Sequence, residues 1–406
     1  MLKAMSSPVY SLSIHADYKC RHSGACCTAD WDVPVELPVY RSLDDQMRRG
    51  SLRVAPAAEQ LPPFVVEPDL PEGAAAMLER THSGDCVFFE RDSHLCVVHR
   101  DAGEESLPAT CRHFPRLSVA NSRGTFVTLS HYCPTAASML FREDVGLEIV
   151  ERPAAFPPAD YDGLTVTADD LPPLLSPSML MDPEGYFAWE RHTVRRCAAD
   201  ALPESVVATL AADASRLRNW RPGGISLTET IRLLPEALEP ATVHLSLAGS
   251  LDLRREVINA IPDDLKPASD DEGLEDAYRV HVRPAWSAFA RPINRYLAAK
   301  AFASWTAYQG RGLATIVRGL DAALALVRIE SARQCRDAAR MLDRDLLLEA
   351  FRAADFALNH LAVGEDLAAV WSRVEGTPEG APYVTDGASA GTPSGLPTSK
   401  VAITGP

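Results

Sequence analysis

Seven of the nine cysteines fall within the first third of the chain, at Cys20, Cys26, Cys27, Cys86, Cys96, Cys111 and Cys133. Thiolates are the ligands of structural zinc and of iron–sulfur clusters, and four of them complete a tetrahedral Zn²⁺ site or a [4Fe–4S] cubane. Three of the thiols share one short loop, Cys20-Arg21-His22-Ser23-Gly24-Ala25-Cys26-Cys27. Cys96-Val97-Val98-His99 adds an imidazole at CxxH spacing, and Cys111 opens the run Cys111-Arg112-His113-Phe114-Pro115-Arg116. An odd count, an adjacent pair and the lack of an export signal argue against a disulfide framework. The expectation is a metal centre drawn from these seven. Cys197 and Cys335 stand alone in helix-like stretches and read as core.

Around the thiols, His99 and His22 are alternative ligands. His113, His131, Arg112 and Arg116 flank Cys111 and Cys133 and can stabilise thiolates by hydrogen bonds or positive charge. Trp31, Phe88, Phe89, Phe114 and Tyr132 read as an apolar shell, and Asp17, Asp30 and Asp32 as turn residues. No four of the seven thiols are singled out by spacing alone, and zinc and iron remain alternatives.

The elements that must position these residues are short. Leu117–Ala120 and Thr125–Leu129 flank the turn Asn121-Ser122-Arg123-Gly124, which predicts a β-hairpin that returns Cys133 toward Cys111. Helices are expected over Leu37–Arg49 and Pro134–Phe141. Prolines at 153, 157, 158, 172, 173 and 177 mark residues 146–177 as a connecting segment without helix or sheet. Beyond it, helical spacing predicts segments at 182–200, 203–220, 227–238, 272–280, 285–309, 311–328, 330–343, 345–361 and 364–373. Residues 375–406 have the composition of a disordered tail. The fold class is therefore mainly α. A small Cys-rich α+β metal-binding domain with a β-hairpin (1–145) leads through the connector to an all-helical domain (178–374).

A formal net charge of −15 argues against nucleic acid and membrane surfaces as partners. No apolar run is long enough to span a bilayer, and the N-terminus lacks a signal-peptide core, so a cytoplasmic location is expected. The sequence has no P-loop, no H-E-x-x-H and no C-x-x-x-C-x-x-C. Gly310-Arg311-Gly312 lies between helical runs and reads as a turn rather than a nucleotide loop.

Four segments carry a resemblance. Cys20…Cys26-Cys27…Trp31, Cys86-Val87-Phe88-Phe89…Leu95-Cys96, Leu107 to Arg116, and Leu129-Ser130-His131-Tyr132-Cys133-Pro134-Thr135-Ala136-Ala137 follow one another in this order. Over roughly residues 18–141 the chain resembles the flagellin lysine-N-methylases and the broader YkgJ-type cysteine-cluster proteins. It carries one cysteine fewer before the Cys26-Cys27 pair, and Thr135 where the methylases have Glu. The resemblance implies an iron–sulfur cluster, with Zn²⁺ as the alternative. It also implies methyl transfer from S-adenosylmethionine to lysines of a flagellin-like protein substrate. The alternative is a non-catalytic zinc- or iron-binding module in protein interaction or metal and redox handling. Neither catalytic nor donor-binding residues are assigned by it.

Overall fold

The hairpin is where alternation and turn residues place it: Arg116–Asn121 pairs with Gly124–Leu129 in antiparallel register, Val119 opposite Phe126. A computed structural model describes residues 7–29, 31–66, 70–159, 161, 163–167, 173–268, 270–310 and 312–372. The expected tail, Asp30 and Arg311 lie outside them. About 48% of the described residues are helical and 12% are in strands, so the fold is mixed and mainly α.

The hairpin is the middle of a five-stranded sheet. Val9–Leu12 lies parallel to Gly124–Leu129, and Ile149–Glu151 closes one edge against Val9–Leu12. Leu164–Thr165 closes the other edge, parallel to Arg116–Asn121. These edge strands correct the expectation of a sheet-free connector. Pro153, Pro157, Pro158, Pro173 and Pro177 sit beyond strand ends, where no ladder amide is required, rather than within them.

The helices differ from expectation at their breaks. Residues 311–328 and 330–343, expected as two helices, form one 26-residue helix, Leu313–Ala338. It spans about 39 Å at 1.5 Å per residue. Nothing at 329 interrupts it, and Ile329 is wholly buried. The 285–309 segment is instead broken into Trp286–Phe289, Ala290–Ala301 and Thr306–Gln309, with Ala303 at φ 55°. The helix at 227 stops at Arg232, and Ala248–Asn259 is helical without having been expected. Asp182 caps Pro183–Cys197 as its position foretells, its carboxylate accepting from the Gly185 amide at 2.6 Å.

One large core joins the sheet to the helices. Leu12, Ile14, Phe126 and Leu140 are buried in the same cluster as Tyr296, Leu297, Phe302 and Phe351. Phe126 packs on Phe302 at 5.9 Å between ring centres. A second core beneath the cysteine loops gathers Trp31, Val33, Val35, Leu43, Val87, Phe88, Val97 and Leu107.

Polar groups fasten the 130–133 loop to the Arg344–Phe356 helix across this joint. The buried Asp355 carboxylate accepts from the His131 amide at 2.5 Å, from the Tyr296 hydroxyl at 3.0 Å and from the Lys300 ammonium. Arg352 donates to the Tyr132 carbonyl at 3.0 Å, and Ser130 Oγ lies 2.8 Å from His360 Nε2. His15 and His131 meet through Nε2 at 3.3 Å.

Burial holds His360 neutral, pushing it down to about 4, and His131 down to about 3; His15 is lowered by burial as well. Burial opposes ionisation of Asp355, but the Lys300 ammonium and the hydrogen bond from the His131 amide outweigh it and hold the carboxyl at about 2. The imidazoles bind protons in the unfolded chain below pH 6.5 but not in the folded one. Their contribution is therefore complete above about pH 6.5 and lost as pH falls toward 4. Asp355 adds a second loss between about pH 4 and 2. The melting temperature is expected to fall steadily from pH 6.5 to pH 4, and His360→Gln to flatten that slope. Thermal scans across this range check both, and an unchanged slope in the variant would refute the assignment.

Candidate metal centre

Local turns aim the thiols. Gly24 starts the tight turn of the first loop, its carbonyl accepting from the Cys27 amide at 2.9 Å and the Thr28 amide at 3.1 Å. Its φ is +75°, and a Cβ there would stand 2.5 Å from Phe89 Cζ. Only glycine lets this loop lie against the Phe89 ring. The Cys86 amide then donates to the Cys27 carbonyl at 2.8 Å, which ties the second cysteine segment to the first. Cys96 closes the small ladder of Phe89–Glu90 with Leu95–Cys96 and caps the Val97–Ala102 helix. Cys111 lies in the Ala109–His113 helix, whose first amide donates to Glu36 Oε1 at 3.0 Å.

Five thiols converge: Cys26, Cys27, Cys86, Cys96 and Cys111. The Cys26 and Cys27 sulfurs are 3.8 Å apart, and Cys27 also hydrogen-bonds Cys96. Sulfurs bound to one tetrahedral ion at ~2.3 Å would be about 3.8 Å apart. Backbone amides turn toward the sulfurs: Phe88 donates to Cys86, and Val98 and His99 donate to Cys96. Among the described residues, no three Cys, His, Asp or Glu side chains are disposed so as to hold a metal ion. The thiols are gathered without being closed around a point.

The protonation pattern follows from this crowding. Hydrogen bonding from Cys27 lowers Cys26, and the same group with the Val98 and His99 amides brings Cys96 down to about 7 despite its burial. Cys27 is pushed well up because its proton serves both neighbours. Burial raises Cys86 to about 12 and lifts Cys111 well above its usual value, and the surrounding sulfurs add to the rise at Cys111. Arg100 acts on Cys96, and the cation that acts on Cys26, Cys86 and Cys111 is Arg80. Its guanidinium donates to the carbonyls of Cys27 at 3.1 Å, Gly84 at 3.3 Å and Trp31. Arg80 carries no motif, and only its strand bridge to Cys86 explains its place.

The other two thiols stand to one side. Cys133 is buried and caps the Pro134–Met139 helix, 3.7 Å from the Tyr18 hydroxyl. Cys20 is exposed, its sulfur accepting from the His22 amide at 3.4 Å, and it feels the charge of both Cys133 and Cys26. The histidines do different work from that expected. His99 and His22 face each other at 5.1 Å between ring centres, and His99 reaches Cys96 through its amide. His131 points away from sulfur into the Asp355 network. Arg116 lies by Tyr18 and Cys20, its guanidinium also donating to the Arg112 carbonyl at 2.8 Å. Asp17 is no turn residue only: it pairs with Arg142. Cys197 and Cys335 are buried core residues.

The aromatic shell forms, with an unforeseen member at its centre. Trp31, Phe114, Tyr132 and Phe356 surround His360 at 4.9, 6.2, 5.7 and 5.9 Å between ring centres. Comparison with known proteins gives no matching family model, no matching curated protein and no matching solved structure. No helix among the described residues is long and apolar enough to cross a membrane.

Two outcomes follow for metal-free protein. Iodoacetamide at pH 7 should alkylate Cys96 and Cys26 ahead of Cys86 and Cys111, because reactivity tracks the thiolate fraction. Mass spectrometry of partially labelled protein reads the order. Gly24→Ala should destabilise the loop by at least ~1–2 kcal/mol, the cost of a left-handed φ with a side chain. Faster alkylation of all five thiols and a lower melting temperature are the expected signs.

Proposed function

We propose that the chain is a thiolate metal protein whose centre is held by ligands from Cys26, Cys27, Cys86, Cys96 and Cys111. The observation that carries this reading is five thiols, buried or half-buried, gathered in one place with the Arg80 guanidinium acting on Cys26, Cys86 and Cys111. Bringing several anions together out of water is costly unless a cation neutralises them. Metal binding removes the protons that burial and mutual repulsion otherwise retain, so binding and local folding become coupled. Four thiolates satisfy Zn²⁺ or a [4Fe–4S] cluster, and the resemblance to the methylases favours iron–sulfur. When bound, such a centre supplies cross-linking of three loops and, in the iron–sulfur case, a one-electron couple.

The chain's own groups prepare the place. The amides of Phe88, Val98 and His99 favour sulfur as an anion, and Arg80 holds the Cys27 and Trp31 segments in register. Trp31, Phe114 and Tyr132 exclude water from the face turned toward the Arg344–Phe356 helix. We extend the reading, on the resemblance of residues 18–141, to methyl transfer from S-adenosylmethionine to a protein lysine. Calorimetry with S-adenosylmethionine, then labelled-methyl incubation with flagellin, tests that extension separately from the metal centre.

Anaerobically purified protein should be brown, absorb broadly near ~400 nm and hold iron and sulfide. Colourless protein with one stoichiometric zinc keeps the thiolate centre and replaces the metal. Cys26→Ser with Cys86→Ser should abolish stoichiometric metal. Their hydrogen exchange should rise across residues 18–114 while Leu313–Ala338 stays protected. Full metal content in that double variant would overturn the proposal.

A further inference from the structure

A cavity of about 480 Å³ opens beside the Cys20 loop, lined by Asp17, Lys19, Arg21, Thr135, Ser138, Met139, Arg142 and Arg344. That volume suits a small organic molecule or a hydrated anion. Its charge runs against that of the protein. The whole chain has 55 acidic and 40 basic residues, yet the cavity gathers four cations and one carboxylate.

The cations differ in how they are engaged. Arg142 pairs with Asp17, and also with Asp144 at 3.2 Å. Those two acids are therefore taken up by a single guanidinium. Arg344 lies over the Phe141 ring at 5.1 Å, and its carboxylate contact is the exposed Asp345 at 3.5 Å. Lys19 and Arg21 have no ion pair among the described residues. Thr135 is only 8% exposed and forms part of the wall. Ser138 Oγ donates to the Thr135 carbonyl at 2.7 Å and keeps a lone pair for a further donor.

We infer that this cavity binds a small molecule through an anionic group, a phosphate or a carboxylate. Lys19, Arg21 and Arg344 supply the positive charge, and Thr135 supplies a neutral donor. Guanidinium forks and an ammonium suit either oxyanion, and charge-assisted hydrogen bonds are the strong ones. Lys19 and Arg21 flank Cys20, and Thr135 lies two residues beyond Cys133, so the ligand would sit against the outer pair of thiols. The inference does not depend on what the five inner thiols bind.

The test uses full-length protein with its metal content measured. Isothermal calorimetry is run with inorganic phosphate and, separately, with malonate, at fixed chloride. Sub-millimolar binding of either is expected, weakening steeply as NaCl rises from about 50 to about 300 mM. Tighter phosphate assigns a phosphate-bearing ligand, and tighter malonate a carboxylate. The double variant Lys19→Ala with Arg21→Ala should weaken binding at least ~10-fold. Its melting temperature and metal content should stay at wild-type values, and exposed Arg221→Ala should bind as wild type. Neither probe binding at ~10 mM, or undiminished binding in the double variant, would overturn the proposal.

Discussion

The buried carboxylate of Asp355 is the polar centre of the joint between the 130–133 loop and the late helices. Asp355 comes from a late helix, yet its partners are the His131 amide in the loop before Cys133 and the Tyr296 and Lys300 side chains of a third segment. An ion withdrawn from water is tolerable only when every lone pair is engaged and a counter-charge is close. Lys300 meets that condition, and the three buried imidazoles around it stay neutral. Because the carboxylate demands all of these partners together, the 130–133 loop has one place to lie. The cysteine loops that pack on Trp31 and Tyr132 inherit that placement.

The same rule of charge compensation operates with opposite sign at the thiols. There the fold assembles five potential anions, and the guanidinium of Arg80 beside Cys27 is already bonded to three carbonyls. At the Asp355 joint the protein satisfies its own charge. At the five sulfurs the chain leaves the compensation to something else, and the proposal of a metal centre rests on that contrast. The cavity beside Cys20 is a third case, a surplus of cations on an acidic protein. A protein whose charges are elsewhere paired along helices, as Arg333 is with Glu330 and Arg352 with Glu349, leaves these few imbalances conspicuous.

Much of this was legible along the chain. Cysteine density, the hairpin around Asn121–Gly124, the Asp182 cap and the helical character beyond residue 178 follow from composition, turn chemistry and periodicity, which are local properties. The edge strands of the connector were not legible, because a two- or three-residue strand is specified by the partner it pairs with rather than by its own sequence. Nor was the continuity of Leu313–Ala338, since burial on nearly every face erases the amphipathic rhythm that marks helix limits.

The amino-acid sequence by itself determined that seven of the nine thiols would be concentrated in the first third of the chain, among short elements and loops. Which five sulfurs meet, that Arg80 lies beside Cys27, and that His131 serves a carboxylate rather than a thiolate were decided only in the tertiary structure. The long-range pairings among them reach from 53 positions, Arg80 to Cys27, to 224, His131 to Asp355. Their distances are set by how two cores and a sheet pack, and no local spacing encodes that packing.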